Sequence, residues 1–178
     1  MQTMELAILD WIQTNLRCGI LDVLLPALSW TASNGEIWIL LAIILICIRK
    51  QRKHGLSVAC GLVFDLMTVN ILLKPLIGRI RPCAVNTAVD MLVKAPTSGA
   101  FPSGHTAAAF AVVFALRASG SPLWKPVLPI AILMAFSRLY LYVHWPTDIL
   151  GGIVVGALVG WLGAKVIGLI SAQIAKRK

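Results

Sequence analysis

Acidic residues are scarce in this chain. Its 178 residues include 7 Asp and Glu against 16 Lys and Arg, and charged residues of either sign make up only 13%. Soluble domains carry roughly 25% charged residues. So little charge, with 58% hydrophobic residues and a mean hydropathy of +0.86, excludes an ordinary soluble fold. Cysteine is sparse as well. Cys18, Cys47, Cys60 and Cys83 show no CxxC spacing, which argues against a zinc ribbon or a dithiol redox centre. Cys47 and Cys60 sit in apolar runs, where packing is reason enough. The opening MQTMELAILD lacks the basic start of a signal peptide. No linker, low-complexity stretch or fixed-period repeat divides the chain, so one domain over 1–178 is expected.

Long apolar runs are what the chain has instead. A membrane helix needs about 20 apolar residues. Residues 3–16 read as an amphipathic helix in the membrane interface, with Leu6, Ile8, Leu9, Trp11 and Ile12 on overlapping turns. Six spans follow, at 18–32, 36–48, 55–77, 103–119, 126–143 and 147–170; the first is weakened by Asp22 and Pro26, and the first two are short. The expected fold is all-α: a polytopic membrane helical bundle of about six transmembrane helices with an N-terminal interfacial helix.

The net charge of +9 would suggest nucleic acid in a soluble protein. Here the basic residues gather at the ends of apolar runs, which points to lipid headgroups and topology, and no nucleic-acid partner is expected. The loop RKQRKH at 49–54 and the tail Lys176, Arg177, Lys178 carry the strongest basic signal, so both are assigned to the cytoplasm. Counting spans from that anchor puts 78–102 and 144–147 outside and the 117–125 turn inside. Trp30, Trp38, Trp124 and Trp145 then fall near the interfaces, and Trp161 within a span. Along the sixth span, Gly152, Gly156, Gly160 and Ala164 recur every fourth residue, a face that allows close helix approach. Packing within the chain is the preferred use of that face; a homodimer seam is the other.

Three polar clusters share the outer side of this plan. Lys74, Arg79, Arg81 and Pro82 end the third span. Ser103, Gly104 and His105 open the fourth. Ser137, Arg138, His144 and Asp148 join the fifth to the sixth. Each has an ordinary reading. Lys74 and Arg81 could snorkel, Ser103 and Asp148 could cap helices, and the histidines could be satisfied interface residues. Together they put three cations, two histidines, an aspartate and a free helix N-terminus at one depth, where ionisable residues are expensive and mark function. A phosphate ligand explains them all. Lys74, Arg81 and Arg138 supply charge, arginine's planar fork suits phosphate oxygens, and the start of the fourth span offers unpaired N–H groups. Gly104 lets the phosphate approach and Ser103 adds a hydroxyl. A neutral His144 can attack phosphorus if Asp148, four residues on, holds its other nitrogen. His105 can then protonate the leaving group and later activate water. No carboxylate cluster suited to Mg²⁺ accompanies these residues, so no metal and no cofactor is expected.

KPLIGRIRP, PSGH and SRLYLYVHWPTD, in this order and at these spacings, resemble the three motif blocks of the type 2 phosphatidic acid phosphatase superfamily. The blocks cover about residues 70–150. The resemblance implies a metal-independent lipid phosphatase of six helices acting through a phosphohistidine. It marks Lys74, Arg81, Ser103, Gly104, His105, Arg138, His144 and Asp148, the same residues the chemistry picks out. With the orientation read from the basic loops, the expectation is a multi-pass protein of the inner (cell) membrane with both termini cytoplasmic and its active site at the outer face. The partners implied are the bilayer and a phosphorylated lipid: undecaprenyl diphosphate first, then phosphatidylglycerophosphate or phosphatidic acid, with lipid A phosphates also in the family's range. The superfamily's soluble haloperoxidases, which bind vanadate, do not fit six apolar spans. Arg79 and Lys94 exceed what one phosphate needs and are expected to contact a second phosphate or headgroup, which favours a diphosphate. The loop 83–101 is expected to cover the site. A lipid phosphotransferase would use the same residues; a non-catalytic lipid-binding protein would have no need of His105, His144 and Asp148.

Overall fold

The computed structural model describes residues 2–177; Lys178, part of the basic tail above, lies outside the described residues. Every regular element among those residues is helical: α1 Gln2–Asn15, α2 Gly19–Trp30, α3 Glu36–Cys47, α4 Arg52–Asp65, a π-helical segment Leu66–Leu73, α5 Lys74–Ile77, α6 Pro82–Val85, α7 Gly104–Ala118, α8 Trp124–Tyr140 and α9 Pro146–Lys176. Seven of the α-helices have twelve residues or more. The helical run that starts at Arg52 and the 31-residue α9 are long and apolar enough to cross a bilayer. At 12 residues each, α2 and α3 rise only about 18 Å.

The centre of the bundle is α7. Most of its residues from Thr106 to Leu116 are buried, as expected of a helix that is small or apolar all round. It packs most extensively on α9, then on α8 and α4. The glycine ridge of α9 makes that approach possible. A Cβ on Gly152 would stand 2.8 Å from the Ser103 carbonyl oxygen, and Cβ atoms on Gly156 and Gly160 would run into the carbonyls of Ala107 and Ala111. Gly163 meets Gly61 of α4 in the same way, at 2.5 Å from its backbone nitrogen. The small-residue face is therefore spent inside the chain. Gly156→Ala should destabilise the bundle by about 1–3 kcal/mol through overpacking. Gly168→Ala, where nothing lies within 4 Å, should be neutral or slightly stabilising. Thermal unfolding midpoints in detergent compare the two.

Two local features deliver the first polar cluster to the site. Ahead of Pro75, which lacks an N–H and crowds the preceding turn, the helix widens into π winding; the Lys74 N–H bonds to the Val69 carbonyl, five residues back. The wider turns line up Asp65, Asn70 and Lys74 on one wall. The helix then stops at Ile77, with Gly78 at φ +57 in the left-handed position that favours glycine at a helix end. Arg81 follows in extended backbone, so it reaches the site through this turn and not by sharing a helix face with Lys74.

At the other end of the α4 and α9 rods, Lys53, Ser119 and Lys165 line a common hollow, and His54 Nδ1 lies 2.9 Å from Ser119 Oγ. The basic loop, the 117–125 turn and the last part of α9 thus share the end away from Lys74. The aromatic residues divide differently from the expected belt. Trp30 is exposed, but Trp38 and Trp145 are fully buried, and Trp161 is half exposed with Lys165 Nζ 5.4 Å from its ring centre.

Candidate active site

The three polar clusters meet around one cavity of about 630 Å³. Lys74, Arg81, Gly104, His105, Arg138 and His144 line its polar end. An apolar arm runs from there between α3 and α4, past Ile39, Ile43, Ala59, Leu62 and Leu66. The lateral side chains along this arm and beyond, such as Leu40, Ile44 and Val63, are exposed on the bundle's surface.

His144 lies in the turn between α8 and α9 and is 2% exposed. Its Nε2 sits 3.1 Å from an Arg81 guanidinium nitrogen. Guanidinium only donates, so Nε2 is the bare nitrogen and the ring proton resides on Nδ1. That Nδ1 lies 3.4 Å from Asp148 Oδ2, near but not yet in a well-formed hydrogen bond. Catalytic hydrogen bonds in unliganded sites are often this loose. Burial, and then the charges of Arg81, Arg138 and Lys74, hold the imidazole well below its usual pKa range. At neutral pH the ring is uncharged, with its lone pair facing the cavity's cations.

Asp148 itself is wholly buried and fully used. Its Oδ2 accepts the Trp145 N–H at 2.8 Å, closing the N-terminus of α9, while Oδ1 pairs with Arg79 at 2.6 Å. The capping role and the orienting role fall to one carboxylate.

The cations differ in how free they are. Arg81 spends its donors on its own chain: Nε on the Ser98 carbonyl (2.9 Å), one terminal nitrogen on the Val143 carbonyl (2.7 Å) and His144, the other on Ser98 Oγ (3.2 Å) and the Gly99 carbonyl (3.3 Å). It fastens the 83–101 loop over the site and holds the His144 turn. Arg138 gives one terminal nitrogen to Ser29 Oγ, and its buried Nε has no partner. Lys74 makes one bond, to Asn70 Oδ1 at 2.8 Å. Lys74 and Arg138 thus keep donor capacity at a cavity whose lining holds a single carboxylate, Asp65, against three cations, an excess that suits an anionic ligand.

At the start of α7, Ser103 occupies the N-cap position without capping; its Oγ accepts the Thr106 hydroxyl at 3.0 Å, and it is buried behind the cavity wall. Gly104 does line the cavity. A Cβ there would lie 3.2 Å from Lys74 Nζ, so the glycine admits the lysine to the helix N-terminus. His105 Nε2 is 3.2 Å from the Ser29 carbonyl. A carbonyl only accepts, so this nitrogen carries the proton.

Two expected site residues are placed elsewhere. Arg79 does not reach into the cavity. It lies between Glu5 (2.7 Å) and Asp148, also bonds Thr147 Oγ1 at 2.6 Å, and stacks over the Trp145 ring with 5.3 Å to its centre. Lys94 is exposed on the loop and is not among the cavity-lining residues. The charge of Arg79 is thus paired with carboxylates outside the cavity, while Lys94 stands free on the 83–101 loop. Conversely, Ser29, Asn70, Asp65 and Glu5 are absent from the expected set. Ser29 holds both Arg138 and His105. Asp65 is 5% exposed in the cavity wall, and its Oδ1 has no partner. An aspartate in the middle of a predicted span was the signal for it; for Ser29 the sequence carries none.

The sequence profile of the PAP2 superfamily matches residues 54–170, which contain all eight motif residues. The chain belongs to the PAP2 superfamily. Among similar superfamily proteins, undecaprenyl-diphosphatase BcrC of Bacillus subtilis is 30% identical over 148 residues, covering 81% of this chain and 74% of that protein. A decaprenylphosphoryl-5-phosphoribose phosphatase of Mycobacterium tuberculosis is 34% identical over 125 residues, 69% of this chain and 67% of that one. Among solved structures, LpxE of Aquifex aeolicus superposes with a TM-score of 0.77 at 26% identity, covering 90% of this chain and 94% of that chain. The transmembrane PAP2-type phosphatidylglycerolphosphate phosphatase of Bacillus subtilis gives 0.76 at 26%, covering 95% and 87%. The chain shares its all-helical fold with these two solved structures.

Proposed function

We propose that this membrane PAP2 lipid phosphatase hydrolyses a polyprenyl diphosphate, undecaprenyl diphosphate by preference, through a phosphohistidine at His144. The observation that carries the mechanism is the bare Nε2 of a neutral His144 placed among three cations at the polar end of a cavity whose other arm is apolar.

In this reading the terminal phosphate enters between Lys74, Arg138 and the α7 N-terminus and takes over the Arg81 contact with His144. Nε2 attacks phosphorus; the bond from phosphorus to the leaving oxygen breaks. His105 enters this step as the imidazolium, which the negative charge of the bound phosphate favours; it gives one ring proton to the leaving oxygen and is left as the neutral imidazole. Asp148 holds Nδ1–H and stabilises the cationic phosphohistidine. Water then attacks phosphorus, gives a proton back to His105, and frees inorganic phosphate and His144. The cations and helix dipole bear the charge on the equatorial oxygens, which is the larger share of phosphoryl-transfer catalysis. No step calls for a metal.

The preference for a diphosphate rests on the relatives named as undecaprenyl-diphosphatases; the apolar arm supports a lipid chain of either kind. In this reading α2, α3, the run from Arg52, α7, α8 and α9 cross the bilayer, both termini are cytoplasmic, the site is at the outer face and α1 lies along the interface. The partition of basic ends from the site end supports this arrangement.

The test is phosphate release by detergent-purified protein in EDTA, with undecaprenyl diphosphate, phosphatidylglycerophosphate and phosphatidic acid as separate substrates. Undecaprenyl diphosphate should give the highest kcat/KM. A higher value for either glycerolipid overturns the substrate assignment, and a requirement for Mg²⁺ overturns the mechanism.

A further inference from the structure

Arg79 and Glu5 form a chain of contacts that ends on the residue orienting the nucleophile. Glu5 belongs to α1, far from the motif blocks in sequence, yet is only 4% exposed. Its Oε2 accepts Arg79 at 2.7 Å; its Oε1 accepts the Thr147 hydroxyl at 2.6 Å and the Thr147 N–H at 3.1 Å. Arg79 passes the link to Asp148 at 2.6 Å, and Asp148 faces His144 Nδ1. Thr147 and Asp148 are the second and third residues of α9. The carboxylate of Glu5 therefore lies at the N-terminus of that helix, where a negative charge is favourable.

α1 is tied to the same turn twice more. Asp10 accepts the Tyr142 hydroxyl at 2.6 Å, and Gln13 donates to the Tyr140 carbonyl at 2.7 Å. Tyr142 has φ +58, a left-handed backbone that a bulky residue adopts only when its surroundings impose it. The inward residues Glu5, Leu9 and Ile12 are spaced i, i+4, i+7, while Met4, Ile8 and Trp11 face outward and are exposed. One helix thus presents an apolar side to its surroundings and grips the nucleophile's turn with the other.

We propose that Glu5 and Arg79 are positioning residues for catalysis: Glu5 fixes Arg79, and Arg79 fixes the Asp148 carboxylate against His144 Nδ1, so that α1 is part of the catalytic apparatus. The physical reason is the burial of Asp148. A wholly buried carboxylate needs a partner to stay ionised and in place. The partner is Arg79, and Arg79's own direction is set by Glu5 and by stacking on Trp145. The inference rests on His144 being the nucleophile.

Glu5→Gln is the discriminating variant. It keeps the acceptor for Thr147 but turns an amide N–H₂ toward the guanidinium, so only the Arg79 link is lost. The expected result is a fall in kcat of about tenfold to a hundredfold, typical of groups that orient a reacting ligand, with KM changed by less than about threefold. Inhibition by orthovanadate, which must bond to His144 Nε2, should weaken by a similar factor. Inhibition by inorganic phosphate, held by Lys74, Arg138 and the helix N-terminus, should not. Arg79→Lys, which keeps the charge, should retain more activity than Arg79→Met. Adding Glu5→Gln to Arg79→Met should cost little more, because the two act in series. A Glu5→Gln enzyme with unchanged kcat overturns the proposal. So do additive losses in the double variant, or vanadate and phosphate affinities that fall together with the unfolding midpoint. Wild type is run alongside: if it releases phosphate but its trapped phosphoenzyme is not at His144, the mechanism proposed above is what has failed, and this inference falls with it.

Discussion

His144→Ala should lower kcat by about 10⁴-fold or more, and leave a protein that still folds and still binds inorganic phosphate. The expected size follows from losing the nucleophile in a site whose members work as a unit; single removals of such a residue cost nearly as much as removing the set. The survival of binding follows from the geometry. The free donors on Lys74 and Arg138 and the N-terminus of α7 do not depend on the imidazole. Arg81 loses one of its several contacts but keeps the carbonyls of Ser98, Gly99 and Val143. Wild type mixed with labelled substrate and quenched in alkaline detergent should show label on His144, stable to base and lost in acid; the variant should show none. Residual turnover within about a hundredfold of wild type would remove His144 from the nucleophile's place. Asp148→Asn should fall between, because an amide oxygen in the place of Oδ2 can still face the Trp145 N–H and Nδ1–H, but the charge that stabilises the phosphohistidine is lost and the amide N–H₂ turns toward Arg79.

The motif residues were legible because their chemistry is unusual for their position. Charged and imidazole groups at the ends of apolar spans are costly, and three such groups on one side of the membrane admit few uses. Connectivity between them was not legible. Arg79 and Arg81 look alike in GRIRP, yet the turn at Gly78 sends one toward Glu5 and Asp148 and the other toward His144. A count of cations could not show that the charge of Arg79 is met by two carboxylates, Glu5 and Asp148. Glu5 could not be tied to Thr147 from a pattern, because contacts 142 residues apart depend on how α1 folds back over the bundle. Asp65 was open to notice: an aspartate within GLVFDLMTVN violates the apolar rule of that span. The π winding that aligns it with Asn70 and Lys74 is foreshadowed only by Pro75, since a proline predicts a disturbed helix but not which disturbance. The glycine ridge of α9 was readable as a close-packing face, and its partner, α7, as the one helix made of alanines; that the seam lies within the chain follows from both being present in it.

The effect of removing His105 should depend on the leaving group, and that dependence tests the mechanism and the substrate together. In a monoester the departing oxygen is an alkoxide, strongly basic and in great need of a proton. In a diphosphate it is a lipid monophosphate, weakly basic and able to leave with less help. General-acid catalysis contributes about 10²–10⁴-fold, more for the poorer leaving group. His105→Gln should therefore reduce turnover of phosphatidic acid near the upper end of that range and of undecaprenyl diphosphate near the lower end. The glutamine amide can still donate to the Ser29 carbonyl, as His105 Nε2 does at 3.2 Å, so the local packing and the Ser29–Arg138 contact are retained. The second step has no such asymmetry, because the phosphohistidine is the same whatever lipid delivered it. With undecaprenyl diphosphate the variant should accordingly form its phosphoenzyme faster than it hydrolyses it, and labelled His144 should accumulate to a larger steady-state fraction than in wild type. Equal losses on both substrates would mean that His105 acts only on water. A larger loss on the diphosphate would mean that His105 binds the second phosphate and is not the acid.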